Sequence, residues 1–126
     1  MRIEFEFDHE GKPVGRLVSF DGPVARPSDE PLVGSRVRLE RLSSAKHSHD
    51  LYEAFSVETD DSLWTYMFQG PFRDHADFTS WVSSVEQTTD PLFYAIIDLA
   101  TGKAVGVASY LRIDPINRTI EVGWIT

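Results

Sequence analysis

Apolar and polar residues alternate most regularly in the last third of the chain, and the alternation predicts three β-strands. The runs cover residues 93–98, 104–113 and 119–125. Gly102 supplies a tight turn between the first two runs, and Pro115 marks the turn between the second and the third. Consecutive strands that are joined by short turns pair antiparallel. The pattern therefore predicts a three-stranded antiparallel meander.

Neither face of this meander is clearly polar. In its middle strand, alternation places two sets of side chains on opposite faces, Val105, Val107, Ser109, Leu111 and Ile113 on one and Gly106, Ala108, Tyr110 and Arg112 on the other. A sheet with one face in water alternates more cleanly between apolar and polar residues. We therefore expect helices or another layer to cover the sheet on both sides.

One strand and two helices are predicted before the meander. Residues 36–42 alternate apolar and charged positions, as a strand with one face in water does. A first helix is expected from about Ala45 to about Val57, because Ser43 and Ser44 can cap its start. Its apolar stripe consists of Leu51, Ala54 and Phe55.

The second helix has the strongest periodic pattern in the chain. Asp74 is its expected N-cap, and Asp77 three positions later makes a capping box with aspartate in place of glutamate. The apolar residues that follow at i, i+3, i+4 and i+7 are Phe78, Trp81, Val82 and Val85. The order of strand, two helices and three strands predicts an α+β fold with helices layered on an antiparallel sheet.

Residues 1–31 are expected to precede this domain, which spans residues 32–126. Residues 1–7 alternate like a half-buried strand, and residues 14–20 can return as a second strand after a turn at Gly11. An N-terminal hairpin and an extended arm on the domain surface are both compatible with this pattern. Residues 21–31 contain three prolines and predict an extended connector.

Composition narrows the classes of function. The chain has 126 residues, of which 41% are hydrophobic, so it can form one domain with a core. Its formal net charge of −8 argues against a nucleic-acid partner and suits a cationic small substrate. No cysteine is present, which excludes disulfides and thiolate sites. No membrane-spanning run or signal pattern is seen, so we expect no membrane partner and a cytoplasmic location.

Metal and nucleotide motifs are missing from the sequence. His47, His49 and His75 lack the spacing of a metal site and are expected at the surface, so no metal is predicted. There is no Gly-x-Gly-x-x-Gly and no Walker loop, so the sequence contains no evident phosphate cradle. There is also no Gly-x-Ser-x-Gly turn for a serine nucleophile.

Glu121 in the third strand is the candidate for chemistry. Alternation places Ile120, Val122 and Trp124 on one side of the strand and Glu121 on the other with Ile125. Apolar neighbours would partly desolvate this carboxylate and make it a better base. The alternative is a salt bridge to Arg112 or Arg118 across the hairpin.

The segment between the helices is rich in aromatic residues. They are Trp64, Tyr66, Phe68 and Phe72. These side chains can line a pocket between the helices, and they can equally be part of the core. Acidic residues outnumber basic ones between residues 43 and 90, where Lys46 and Arg73 are the bases.

The ordered set of these segments resembles the first half of the GNAT superfamily of N-acetyltransferases, and within it the RimJ/RimL-like branch. The matching residues are 32–42, 63–66, 90–98, 101–109, 112–115 and 120–125, which include the sequence Glu121-Val122-Gly123. The resemblance implies a GNAT-like half-fold and transfer of acetyl from acetyl-CoA to a primary amine on a small molecule or peptide. It also implies roles for individual residues. Glu121 would be the base, Trp124, Ile125 and Thr126 would contact acetyl-CoA, and Trp64, Tyr66 and Phe72 would contact the acceptor.

The resemblance has a further implication, because Thr126 comes before the loop of glycines and basic residues that holds the acetyl-CoA pyrophosphate in that family. We therefore expect a truncated domain that is inactive alone. The meander would then have an uncovered face and edge, which predicts a homo-oligomer or an N-terminal hairpin folded over the sheet. The alternative is a non-catalytic binding or oligomerisation module built on the partial fold.

Overall fold

The computed structural model describes residues 5–16, 21–57 and 60–126, which form two sheets and two α-helices. The strands are β1 Glu6–Phe7, β2 Pro13–Val14, β3 Leu32–Val33, β4 Val37–Arg41, β5 Leu92–Asp98, β6 Ala104–Asp114 and β7 Thr119–Gly123. The helices are α1 Ser44–Phe55 and α2 His75–Val85, with a short 3-10 helix, Asp61–Trp64, between them. This order confirms the predicted α+β fold.

The main sheet has five antiparallel strands in the order β3-β4-β5-β6-β7. The predicted meander is confirmed as β5, β6 and β7. Strand β3 was not predicted as a separate element. It folds back on β4 across a turn in which the Gly34 N–H donates to the Val37 carbonyl at 2.9 Å.

The two α-helices cover one face of this sheet. Leu51 of α1 and Phe78 and Val82 of α2 are fully buried. They pack against Phe93, Ala95, Ile97 and Val107 of β5 and β6. Burying each such apolar side chain contributes roughly 1.5–3 kcal/mol. The predicted stripe of α2 is confirmed, and it forms the centre of the core.

The backbone N–H groups at the starts of the two α-helices find hydrogen-bond acceptors in two different ways. The Asp74 carboxylate accepts the Asp77 N–H at 2.8 Å, as the capping box predicts. Asp77 in turn accepts from the Arg73 N–H at 3.2 Å. At the start of α1, Ser43 makes no side-chain cap. Its N–H instead donates to Nδ1 of His47 at 3.0 Å.

His47 is buried, which corrects the prediction that the histidines lie at the surface. The residue is 3% exposed, whereas His49 and His75 are exposed as expected. Since Nδ1 accepts from Ser43, Nε2 carries the proton and donates to Oε1 of Glu40 at 2.8 Å. This hydrogen bond, aided by the nearby Arg38 charge, lowers the pKa of Glu40 although burial opposes the shift.

Strand β6 contains a bulge near its start. Ile96 pairs with Gly106 and Ile97 pairs with Ala104, so Val105 is the extra residue. Val105 is 45% exposed and Ala104 is 2% exposed. Regular alternation had placed Val105 on the same face as the buried Val107, and that assignment is wrong because the bulge shifts the register.

The second face of the sheet is only partly covered by described residues. Tyr94 is 2% exposed beneath the guanidinium of Arg41 and the ring of Tyr110, with centroid distances of 5.6 Å to each. Towards the last strand, Ile120 and Val122 are 46% and 60% exposed. The expected cover on both sides is thus present in the middle of the sheet and missing at β7.

The N-terminal residues form the short hairpin β1–β2, and residues 1–4 and 17–20 of the predicted strands lie outside the described residues. Phe5 and Phe7 are 58% and 68% exposed, so this strand is not half-buried as predicted. The described residues of the connector, 21–31, contain no helix, and they lie against the β6–β7 turn. The Val24 N–H donates to the Pro115 carbonyl at 3.1 Å, and Arg118 donates to the Gly22 carbonyl at 2.8 and 3.1 Å.

Within the described residues, no helix is long and apolar enough to cross a membrane. The same residues contain no group of His, Asp and Glu that is arranged to hold a metal ion.

Candidate active site

The end of β7 is shaped by a bulge. Gly123 pairs with Ser109, and Thr126 exchanges both backbone hydrogen bonds with Val107 at 2.9 and 3.0 Å. Trp124 and Ile125 therefore lie opposite a single residue, Ala108. Trp124 has φ 51°, a left-handed conformation that costs a non-glycine residue roughly 1–2 kcal/mol.

The bulge turns the Trp124 ring to the helix side of the sheet. The ring lies 5.7 Å from Phe93 and 5.5 Å from Phe68, measured between centroids. Regular alternation had placed Trp124 on the side of Ile120 and Val122, and this assignment is wrong because the bulge reverses it. The contact with Phe93 packs the ring against the core.

Two small residues of β6 allow the end of β7 to close on it. Ser109 is 2% exposed, and its hydroxyl donates to the Gly123 carbonyl at 3.0 Å. A Cβ at Gly106 would lie 2.8 Å from the Thr126 carbonyl oxygen, closer than a side chain tolerates. Residues of this size at these positions are needed for the observed pairing.

A third bulge, at Arg112, brings a positive charge to Glu121. Leu111 pairs with Glu121 while Asp114 pairs with Thr119, so β6 has one extra residue between these pairs. Arg112 has φ 49°. Its Nη1 lies 3.3 Å from Oε2 of Glu121. The salt bridge that the sequence offered as an alternative is therefore present with Arg112.

The carboxylate of Asp90 holds the bulge at Arg112 in place. It accepts the N–H of Arg112 at 2.8 Å and the N–H of Ile113 at 3.0 Å. Both donors lie where the β6–β7 ladder is interrupted, so the side chain replaces backbone acceptors.

Glu121 opens into a cleft of about 220 Å³. Arg112, Leu111 and Trp124 form one part of its wall, and Tyr66 and Phe68 from the loop after the 3-10 helix form the other. The Glu121 side chain is 46% exposed, so its carboxylate is reachable from solvent. The arrangement places a solvent-accessible carboxylate, a guanidinium and an aromatic wall within one cleft.

Comparison with known proteins gives matches among solved structures. No protein-family model matches the sequence, and no curated protein matches it. The structure of a GCN5-related N-acetyltransferase from Brucella melitensis matches with a TM-score of 0.78 and 39% identity, over 82% of this chain and 47% of that one. The chain belongs to the GNAT superfamily.

Two further GNAT structures share the fold. A probable acetyltransferase from Chromobacterium violaceum matches with a TM-score of 0.74 and 24% identity, over 90% of this chain and 57% of that one. The acetyltransferase from Bacillus anthracis matches with a TM-score of 0.57 and 17% identity, over 76% of this chain and 52% of that one. The chain spans about half the length of each of these GNAT proteins.

The GNAT resemblance had named seven site residues, and the structure brings three of them together. Tyr66, Glu121 and Trp124 line the same cleft. Ile125 is 61% exposed in the bulge, and the backbone N–H and C=O of Thr126 are both bonded to Val107. The roles of these residues stay predictions.

Trp64 and Phe72, the other two named residues, line a different cleft of about 150 Å³ beside α1 and α2. Their rings meet edge to face at 5.1 Å, and Phe72 packs against Phe78 of the core at the same distance. Core packing, the alternative that the sequence left open, is confirmed for Phe72.

Arg112 is the residue of this GNAT cleft that sequence reasoning did not assign to the site. Alternation had put it on the face of Tyr110, away from Glu121. A left-handed residue in mid-strand is not signalled by a pattern of period two, so alternation could not place Arg112 in the cleft, and only the possible salt bridge to Glu121 pointed to it.

Proposed function

We propose that the chain supplies the amine-binding half of an acetyltransferase site, which transfers acetyl from acetyl-CoA to a primary amine. The observation that supports this most is the position of Glu121, at the edge of a cleft and next to the bulged end of β7. Membership of the GNAT superfamily supports acetyl transfer as the reaction.

Glu121 acts as the proton acceptor in this proposal. A primary amine is protonated in neutral water and must lose a proton before its nitrogen can attack the thioester carbonyl. The new C–N bond forms as the C–S bond breaks, and the thiolate of coenzyme A leaves. Because Glu121 is reachable from solvent, it takes the proton directly or through one water molecule.

Residues 124–126, at the end of β7, fit the thioester end of acetyl-CoA better than its pyrophosphate. The bulge sets Trp124 and Ile125 apart from the regular ladder, and the N–H of Thr126 is already committed to Val107. Trp124 and Ile125 are therefore the backbone positions we assign to the acyl arm. The 126 residues contain no glycine-rich phosphate loop, so we expect no turnover by this chain alone.

The test is a chimera in which this chain replaces the matched part of the Brucella melitensis protein. We expect the chimera to release coenzyme A only when an amine is present. Titration of the free thiol measures this release. Glu121→Gln should lower the rate at neutral pH by roughly 10²–10⁴-fold, the usual contribution of a general base. The matched control is Glu53→Gln, which changes an exposed glutamate of α1 and should leave the rate unaltered.

Either of two results would contradict the proposal. A folded chimera that releases no coenzyme A with any amine, while the Brucella melitensis protein does, would reject acetyl transfer by this half. A Glu121→Gln chimera as fast as its parent would remove Glu121 from the role of base.

One observation favours a second role, self-association. Ile120 and Val122 leave apolar surface exposed on the last strand, and such surface promotes contact between copies. We expect a homo-oligomer in light scattering, and a monodisperse monomer would count against it.

A further inference from the structure

We infer that the acceptor is a free α-amino acid with an apolar or aromatic side chain, an inference that rests on the proposed function and names its substrate class. Three features of the Glu121 cleft carry it: a carboxylate, a guanidinium beside it, and an aromatic wall without further charge.

The two charges of the cleft are neighbours and both are accessible. Arg112 Nη1 and Glu121 Oε2 lie 3.3 Å apart, and the two side chains are 80% and 46% exposed. An ion pair this exposed contributes little to the stability of the fold, so a ligand can replace either partner of the pair. An amine that has no carboxylate would bind Glu121 and leave the Arg112 guanidinium without its ion-pair partner.

An α-amino acid provides a partner for both charges. Its ammonium group binds Glu121, and its carboxylate binds the Arg112 guanidinium, whose planar fork suits a carboxylate. The two charged groups of an α-amino acid are attached to one carbon, so they are as close together as the two side chains they meet. The amine is thereby held beside the base that deprotonates it.

The remaining wall favours an apolar side chain on the acceptor. Tyr66 and Phe68 are 95% and 93% exposed, which is unusual for aromatic residues of a folded domain. Phe68 packs on Trp124 at a centroid distance of 5.5 Å, and Tyr66 lines the same cleft, so the wall next to Glu121 is largely aromatic. An apolar substituent would cover this surface.

The size of the cleft is also that of a small ligand. Its volume of about 220 Å³ lies below the roughly 300–1,000 Å³ that drug-sized ligands occupy. A single amino acid fits this volume better than a peptide segment does.

The test is a calorimetric titration of the 126-residue chain, which needs no acetyl-CoA. The reference ligand is phenylalanine. Three others each lack one of its groups: phenethylamine lacks the carboxylate, 3-phenylpropionate lacks the amine, and alanine lacks the ring. We expect phenylalanine to bind about tenfold more tightly than each of the other three, as charge-assisted contacts and ring burial predict.

Three variants test whether Arg112 causes the preference for phenylalanine over phenethylamine. Arg112→Gln should make phenylalanine and phenethylamine bind equally, and Arg112→Lys should restore part of the difference. Arg36→Gln removes an exposed arginine just before β4, which lies two strands from β6, and should leave the preference intact. Circular dichroism checks that each variant is folded.

The outcomes separate the two hypotheses. Equal binding of phenylalanine and phenethylamine by the unaltered chain, or no binding of phenylalanine, overturns the amino-acid inference while acetyl transfer by the chimera would still stand. Tight phenylalanine binding with a chimera that acetylates no amine would reject the proposed function and retain the binding site.

Discussion

His47 connects the sheet to the first helix, and its removal should cost a large part of the stability of the domain. The ring accepts from the Ser43 N–H at 3.0 Å and donates to Glu40 at 2.8 Å, and its side chain is almost fully buried. A neutral hydrogen bond contributes about 1 kcal/mol and one to a charged group about 1.5–3 kcal/mol. We therefore expect His47→Ala to lower the free energy of unfolding by about 3 kcal/mol, against a total of roughly 5–15 kcal/mol for a domain.

Two isosteric variants divide this loss between the two hydrogen bonds. His47→Asn places an acceptor near the Nδ1 position and retains the bond from Ser43. His47→Gln places a donor near the Nε2 position and retains the bond to Glu40. Each should recover part of the loss, and Gln should recover more because its bond is to a charged group.

The assay is urea unfolding followed by tryptophan fluorescence, since the Trp81 and Trp124 rings both contact Phe93. His49→Ala is the matched control on the same helix, because His49 is exposed, and it should change stability by less than about 0.5 kcal/mol. If His47→Ala costs no more than His49→Ala, the reasoning is wrong.

The same contact predicts a dependence on pH. The pKa of Glu40 is lowered from 4.5, chiefly by the hydrogen bond from His47. A carboxylate with a lowered pKa in the folded state stabilises that state above its unfolded pKa, and the contribution disappears as the pH falls through the folded value. The stability advantage over Glu40→Gln should therefore be complete at neutral pH and shrink below about pH 4.5. Parallel pH curves for the two proteins would contradict this assignment.

Two further substitutions test the strand end and the second helix. Gly106→Ala should cost about 1–3 kcal/mol in urea unfolding, because its Cβ would be 2.8 Å from the Thr126 carbonyl oxygen, and a neutral result would show that this end is free to move. Asp74→Ala should cost about 0.5–2 kcal/mol through loss of the cap to the Asp77 N–H, whereas Asp74→Asn should cost less, and equal losses would argue against capping.

The sequence predicts the main elements well because they depend on local periodicity. The spacing of Phe78 and Val82 identifies the buried face of α2, and both side chains are fully buried. Short turns at Gly102 and Pro115 predict the antiparallel order of the last three strands, which the sheet shows. These features require no knowledge of distant contacts.

Features that depend on distant contacts are missed. His47 can be buried because Glu40, on the preceding strand, accepts a hydrogen bond from its Nε2, and no periodic pattern signals that pairing. The bulge at Arg112 depends on the carboxylate of Asp90, which is 22 residues away along the chain. Alternation assumes an unbroken ladder, so it assigned Val105, Arg112 and Trp124, which lie in bulges, to the wrong face of the sheet.

The candidate site exists because of these interruptions. With a regular ladder, the Arg112 guanidinium would lie on the face of Tyr110, and the Trp124 ring would lie on the open face beside Val122. Two left-handed residues instead bring both side chains to Glu121, each at a cost of roughly 1–2 kcal/mol. Asp90 offsets the cost at Arg112 by two hydrogen bonds, and packing on Phe93 offsets it at Trp124. A regular hairpin would avoid both costs, so this geometry agrees with the proposed role of the strand end in binding.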